Sequence, residues 1–240
     1  MTITAIILII TFAFFTHSLL GFGGGLISIP ILCLFMPVQD VASMVMIYQF
    51  SMGLLIFKTY HLTTWPLIIR MIPLTIIGAL LGVFLLKVLD GDLIRLLLAG
   101  YIIIYLAGKH TKFNLLARVI KWGGAHMSAL FGGVLNAMIG GGAAAFIIYL
   151  RDKAANSSEF RANITMMLMV SNIPRAIGTV GTGMLTWDIF MTAMYGFPAF
   201  LIALVMGQKL HDKIPQKIFF TAVEILLFCS AMFLVLKVLL

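Results

Sequence analysis

The order of apolar and polar residues divides the chain into long apolar runs with short polar connections. Eight runs lie at about residues 2–36, 41–57, 66–86, 93–108, 123–150, 161–181, 188–207 and 216–238. A run of about 20 apolar residues has the length of a membrane-spanning helix, and these runs show no strand-like alternation. The pattern therefore predicts an all-α polytopic membrane protein.

The first apolar run contains a cluster of glycines in its middle. The sequence GFGGG occupies residues 21–25, and the run 2–36 is too long for one helix of about 20 residues. Glycine is a poor helix former, so the cluster predicts a break in the helix. A second triplet lies inside the run 123–150 and predicts a second break.

Broken helices at membrane depth suggest a binding site. Unwound backbone is tolerated there only where protein buries it or where it lines a cavity. A helix that restarts after the break presents N–H donors and its positive dipole end, which favours an anion. The predicted substrate-binding glycines are Gly23, Gly24, Gly25, Gly140, Gly141 and Gly142. The alternative is that the glycines only allow close helix packing, as in the GxxxG of Gly21 and Gly25.

The two halves of the chain resemble each other. FFTHSLLGFGGGLISIP (14–30) aligns with FGGVLNAMIGGGAAAFI (131–147). Further matches follow in the same order, namely Ser51 with Ser171, Trp65 with Trp187, Pro73 with Pro198 and Gly82 with Gly207. We therefore predict two repeats of four segments, 1–108 and 123–240, joined by a basic cytoplasmic linker, 109–122.

Basic residues indicate how the runs cross the membrane. Arg70, Arg95 and Arg175 lie inside runs and are left out of the count. If every run crosses once, the other Lys and Arg residues show no bias; if the glycine-broken runs fold back as hairpins, almost all of them lie on one side. That side then carries Lys58, Lys109, Lys112, Arg118, Lys121, Arg151, Lys153, Arg161, Lys209, Lys213 and Lys217. The repeats are then inverted, with their hairpins meeting near the midplane. Residues 109–122, 151–160 and 208–217 face the cytoplasm in this arrangement.

Composition agrees with this class. Hydrophobic residues make up 62% of the 240 residues and charged residues 10%, which is far too few charges for a soluble surface. The formal net charge of +8 comes from Lys and Arg at the ends of the runs, so it predicts membrane orientation and no nucleic-acid partner.

Three sequences resemble a known family. GFGGGLISIP (21–30) and MIGGGAAAFI (138–147) are similar to the paired glycine motifs of the TauE/SafE sulfite exporter family, and SEFRANIT (158–165) to its segment after the second motif. The resemblance implies a small permease of two four-segment repeats in the bacterial inner membrane. It implies transport of sulfite, sulfonates or other small sulfur-containing or carboxylate anions. The second motif departs at Ile147, where the first has Pro30.

Polar residues within apolar runs are the remaining candidates for the site. His17 lies one turn before Gly21, and Asn136 lies one turn before Gly140. Ser51 and Ser171 align, and Arg175 offers a planar fork for an oxyanion. His17 and Glu224 are candidates for proton coupling. His17 and Asn136 could equally serve helix packing. Arg175 could extend to the interface, pair with Glu224 or bind the anion.

The prediction is an anion permease that works by alternating access, with export as the expected direction. Its partners are a small anionic solute and the lipid bilayer; no cofactor and no metal is predicted, and the oligomeric state is left open. An intramembrane enzyme is the rival class, but the chain has no HExxH and no GxSG-type serine motif. A cation channel would need acidic residues along its path, and Glu224 alone qualifies.

Overall fold

The described part of the chain is almost entirely helical. The computed structural model describes residues 2–20, 23–53, 60–110, 115–210 and 216–239, and these contain ten α-helices and no strand. The first five helices are α1 Ile3–Leu20, α2 Gly24–Leu32, α3 Val38–Gly53, α4 Trp65–Val88 and α5 Gly91–His110. The others are α6 Leu115–Ile139, α7 Ala143–Leu150, α8 Ser157–Gly181, α9 Trp187–Leu210 and α10 Gln216–Leu239.

The helices follow the predicted apolar runs closely. The run 66–86 becomes α4, and 188–207 becomes α9. Helix α5 extends to His110 and α6 begins at Leu115, so both helices include residues of the predicted linker 109–122. Gly124, with φ 57° and ψ −135°, interrupts α6 and separates its basic first part from the apolar remainder. Of the predicted cytoplasmic residues, 111–114 and 211–215 lie outside the described part, as does Lys58.

Both glycine clusters interrupt a helix at the predicted place. Helix α1 ends at Leu20, and Gly23 has a φ of 104° before α2 begins. Helix α6 ends at Ile139, and Gly140 has a φ of 62° before α7 begins. Glycine is the residue that adopts this left-handed backbone without a steric penalty. Gly21 and Phe22 lie outside the described residues.

Two helix pairs in the fold rely on glycine for close contact. Helix α4 packs against α6, and α9 packs against α1. A Cβ on Gly82 of α4 would lie 2.6 Å from the carbonyl oxygen of Val134, and one on Gly207 of α9 would lie 2.8 Å from that of Phe15. Each glycine therefore lets two backbones approach more closely than any side chain would permit.

The outer surface of the bundle is apolar. By length and composition, α4, α9 and residues 91–108 of α5 can each cross a membrane. Large apolar side chains such as Phe84 on α4 and Ile202 on α9 are exposed. The exposed Trp65 and Trp187 begin α4 and α9. An exposed apolar surface with tryptophan at helix ends is typical of a lipid-facing helix bundle.

The centre of the bundle is a contact between α3 and α8. Helix α3 also packs on α9, and α8 packs on α4. The two short helices after the breaks lie beside this centre, because α2 contacts α3 and α7 contacts α8. Helices α5 and α10 pack on each other. The centre therefore brings both glycine breaks close to the same pair of helices.

Candidate functional site

A cavity of about 380 Å³ lies between α1, α3, α8 and the end of α9. It is large enough for a small solute with several waters. The described residues that line it are His17, Ser18, Gln49, Met52, Gly53, Leu62, Ser158, Arg161, Ala162, Thr165, Leu168, Met169, Asn172 and Gln208.

One face of α8 forms the long wall of this cavity. Ser158, Arg161, Thr165 and Asn172 recur at helical spacing, and the first and last are separated by about 20 Å along the helix axis. The start of α8 is fixed by Asn156, whose Oδ1 accepts a hydrogen bond of 2.9 Å from the backbone N–H of Glu159. The α8 wall therefore runs from a polar rim to the centre of the bundle.

A second interaction at the start of α8 ties it to the loop before α4. The Thr64 hydroxyl donates to the carboxylate of Glu159, and the Thr64 backbone N–H donates to Asn163 Oδ1 at 2.8 Å. The hydrogen bonds from Thr64 and from the Ala155 N–H hold the pKa of the Glu159 carboxyl below its usual value. These bonds hold the rim of the cavity together.

His17 forms the α1 side of the cavity. Its Nδ1 accepts a hydrogen bond of 3.2 Å from the backbone N–H of Gly24, the first residue of α2. The ring stacks on Phe14 with centroids 6.0 Å apart, and His17 is buried. Because Nδ1 is an acceptor, the neutral ring carries its proton on Nε2, which is then a donor.

A polar network closes the inner end of the cavity. Gln49 of α3 donates from Nε2 to the carbonyl oxygen of Gly140 at 3.3 Å. Arg175 of α8 donates from Nη1 to Gln49 Oε1 at 2.5 Å and from Nη2 to the carbonyl oxygen of Ala42 at 2.9 Å. Asn172 donates to the carbonyl oxygen of Gln49 at 3.2 Å. The network connects the cavity wall to the second glycine break.

Asn136 extends this network into α6. Its Nδ2 donates to Ser171 Oγ at 3.1 Å and to Asn172 Oδ1 at 2.9 Å. Its Oδ1 is buried and has no hydrogen-bond partner among the described residues. A buried acceptor without a donor costs about 1–3 kcal/mol. The two hydrogen bonds from Nδ2 are therefore the polar contacts that hold the Asn136 side chain in place.

The two glycine breaks touch each other directly. A Cβ on Gly25 would lie 2.7 Å from the carbonyl oxygen of Gly140 and 2.9 Å from its Cα. Gln49, which lines the cavity, is the third member of this contact, because its Nε2 would lie 2.5 Å from the same Cβ. The inner end of the cavity is therefore adjacent to both breaks.

The structure distributes the predicted site residues over three places. His17 lines the cavity, whereas Asn136, Ser171 and Arg175 lie behind its wall in the polar network. The glycines of both triplets form or border the two breaks. Ser51 donates to the carbonyl oxygen of Ile47 in its own helix at 2.9 Å. Glu224 belongs to α10 and acts electrostatically on Tyr105 of α5.

Several lining residues were not among the sequence predictions. They are Gln49, Ser158, Arg161, Thr165, Asn172 and Gln208 among others. Arg161 and Thr165 were within reach, because SEFRANIT contains both and resembles a family segment. Gln49 lies two residues before Ser51, but the sequence does not show which side of α3 faces the cavity.

Among the described residues, three helices long and apolar enough to cross a membrane, together with a cavity lined by polar and apolar side chains, indicate a multi-pass membrane protein. A family model described as "Sulfite exporter TauE/SafE" matches residues 6–234. The chain belongs to this family, as its glycine motifs indicated. No curated protein and no solved structure matches the chain.

Proposed function

We propose that the protein is a permease that exports a small sulfur-containing anion, such as sulfite or an organosulfonate, across the bacterial inner membrane. The cavity that ends at two touching helix breaks carries this proposal, because such a site can be reached from either side when helices move. Family membership supports the class of substrate. A small carboxylate is the alternative substrate.

Many transporters that work by alternating access are built from two related halves, and the packing supports this arrangement. In the proposed repeat, α1 corresponds to α6 and α4 corresponds to α9. The contacts of α4 with α6 and of α9 with α1 are then the same contact made twice. The aligned Gly82 and Gly207 each serve one of these contacts. An inverted pair of repeats, 1–108 and 123–240, accounts for both observations.

We assign the predicted site residues to two roles within this mechanism. His17 contacts the solute, since it lines the cavity. The glycine triplets, Asn136, Ser171 and Arg175 shape the inner end, and Ser51 contributes after a helix movement. Proton coupling is assigned to His17, with Glu224 as a second candidate on α10.

The direction of transport follows from charge and from the position of the cavity rim. Leu62, Ser158 and Gln208 lie at the rim, and the positive-inside pattern assigns residues 151–160 and 208–217 to the cytoplasm. The described state therefore opens to the cytoplasm. A negative interior favours loss of an anion by about 2.3 kcal/mol per charge for each 100 mV.

Transport by purified protein tests this function. Proteoliposomes loaded with sulfite, methanesulfonate or acetate should show counterflow that depends on the protein and saturates with at least one sulfur anion. Saturable counterflow of acetate alone would favour the carboxylate alternative. Absence of protein-dependent movement of all three anions would contradict the proposal.

Single-cysteine labelling tests the inverted arrangement. With Cys33 and Cys229 replaced by serine, a cysteine at position 155 or at position 114 should resist a membrane-impermeant reagent added outside whole cells. Both should react in inverted vesicles. Strong labelling at 155 with none at 114 in whole cells would show that the second broken run crosses the membrane once.

A further inference from the structure

Arg161 differs from every other described residue that lines the cavity. It carries the only permanent charge among these lining residues, and none of them is a carboxylate. Its side chain is half-buried on the second turn of α8. A single cation in an otherwise neutral and partly apolar cavity creates a local preference for anions, because the low dielectric strengthens its field.

His17 faces the same cavity from α1. Arg161 and His17 lie close enough to interact electrostatically. The hydrogen bond from Gly24 occupies His17 Nδ1, so the neutral ring has Nε2–H as its remaining polar group. Arginine and Nε2–H are both donors, and donors are what an oxyanion requires.

Arg175 is placed differently although it lies on the same helix. Its side chain is 0% exposed, and its two terminal nitrogens donate to Gln49 and Ala42. An anion could reach Arg175 only if these bonds were broken. The two arginines on α8 therefore differ in access to the cavity, because Arg161 lines it and Arg175 is fully buried behind its wall.

We infer that Arg161 and His17 bind the transported anion between them. Arg161 supplies the charge and a planar fork for two oxygens, and His17 supplies a third donor from α1. The two residues come from different halves of the chain, so the bound anion joins α1 to α8. This inference rests on the proposed anion transport and assigns its charged contact to a residue outside both glycine motifs.

Binding by purified full-length protein tests the inference. Calorimetric titration with sulfite and with methanesulfonate would compare the wild type with Arg161→Gln, Arg161→Lys and Arg151→Gln. Arg151 is an exposed arginine after α7 and serves as the matched control for loss of one positive charge. The unfolding midpoint of each variant is measured in parallel.

Arg161→Gln should weaken binding about tenfold or more, since a hydrogen bond to a charged group contributes about 1.5–3 kcal/mol. Arg161→Lys should recover part of the affinity because it keeps the charge but loses the fork. Arg151→Gln should bind like the wild type, and all unfolding midpoints should stay close to the wild-type value.

Three results would overturn the inference. The first is an unchanged affinity in Arg161→Gln, and the second is an equal loss of affinity in Arg151→Gln. The third is a loss of affinity in Arg161→Gln that is accompanied by a lower unfolding midpoint, which would show that the variant is unstable. Wild-type protein that binds neither sulfite nor methanesulfonate would also overturn it, and would do so by contradicting the proposed function itself. The wild-type titration therefore separates the two failures.

Discussion

The two glycine breaks share a sequence pattern but have different surroundings. At the first, the residue that bonds to Gly24 is His17, which lines the cavity. At the second, two side chains bond to the backbone: the buried Tyr101 hydroxyl donates to the carbonyl oxygen of Gly141 at 2.7 Å, and Gln49, which also lines the cavity, donates to that of Gly140. Neither residues 23–25 nor residues 140–142 are among the described residues that line the cavity.

The two breaks therefore differ in the number and type of side chains that bond to their backbone. A glycine triplet provides irregular backbone in both halves. Side chains of α5 and α3, Tyr101 and Gln49, donate hydrogen bonds to the carbonyl oxygens of the second triplet. In the proposed mechanism, the second break is the one that becomes accessible when the protein opens to the other side. The asymmetry between the breaks is then a property of one state.

The largest expected effect is on stability at the second break. A Cβ on Gly142 would lie 2.2 Å from the carbonyl oxygen of Gly132 and 2.5 Å from Asn136 Cβ, so backbone must shift to accept it. Gly142→Ala should lower the free energy of unfolding by about 1–3 kcal/mol, the usual cost of overpacking. A thermal unfolding scan in detergent would measure it.

The matched variant at the first break should behave differently. A Cβ on Gly24 would meet the Phe14 ring at 2.9 Å and His17 Nδ1 at 3.0 Å, which are side-chain atoms. Gly24→Ala should therefore displace His17 and raise the KM for transport more than it lowers stability. Gly100→Ala is the control, because nothing lies within 4 Å of its Cβ. Equal stability losses at Gly24 and Gly142 would remove the contrast between the breaks.

Arg175→Lys should lower stability by about 2 kcal/mol with little change in affinity. Lysine keeps the charge but cannot reach both Gln49 Oε1 and the carbonyl oxygen of Ala42 as the fork does. Unfolding midpoints and titration with sulfite would separate the two quantities. A lower affinity with an unchanged midpoint would instead identify Arg175 as the contact of the anion.

Two substitutions of His17 should distinguish the roles of its two ring nitrogens. His17→Asn keeps an acceptor near the Gly24 N–H but loses reach into the cavity, so the KM should rise about tenfold with little loss of stability. His17→Gln can donate from the position of Nε2, so its KM should rise less while stability falls by about 1 kcal/mol. The opposite order of KM values would show that the bond to Gly24 is what transport requires.

The smallest expected effect concerns the hydrogen bond from Tyr101 to the second break. Tyr101→Phe leaves the carbonyl oxygen of Gly141 without its donor and should cost about 1 kcal/mol of stability, with an unchanged KM. Tyr48→Phe is the control, since it removes a similar 2.7 Å bond to the carbonyl oxygen of Ala193. A KM change in Tyr101→Phe alone would mean that the second break already contacts the solute.

Sequence patterns predicted the helices well because each apolar run and each glycine acts locally. The run 66–86 and the break at Gly140 both correspond to features of the structure. Residues 115–122 of the predicted linker form the first part of α6, which Gly124 then interrupts. Lys and Arg are good helix formers, so a basic composition alone does not prevent a helix.

The site was harder to predict because it depends on which helix faces share a cavity. His17 stood out beside its glycines, whereas Gln49 and Arg161 come together only when α3 and α8 cross. From the sequence, the partner of Arg175 was left open between Glu224, the interface and the anion. In the structure it bonds to Gln49 and Ala42, which lie more than a hundred positions away in the sequence. Long-range contacts of this kind do not produce a regular spacing in the sequence.

Trp65 and Trp187 have a consequence for the depth at which the protein sits. Each begins a helix of 24 residues, about 36 Å long, which exceeds a hydrocarbon layer of about 30 Å. Their indoles are 42% and 69% exposed and favour the zone of the lipid headgroups. In an inverted pair of repeats, one tryptophan anchors each leaflet, so the two rings mark the thickness of membrane to which the bundle is matched.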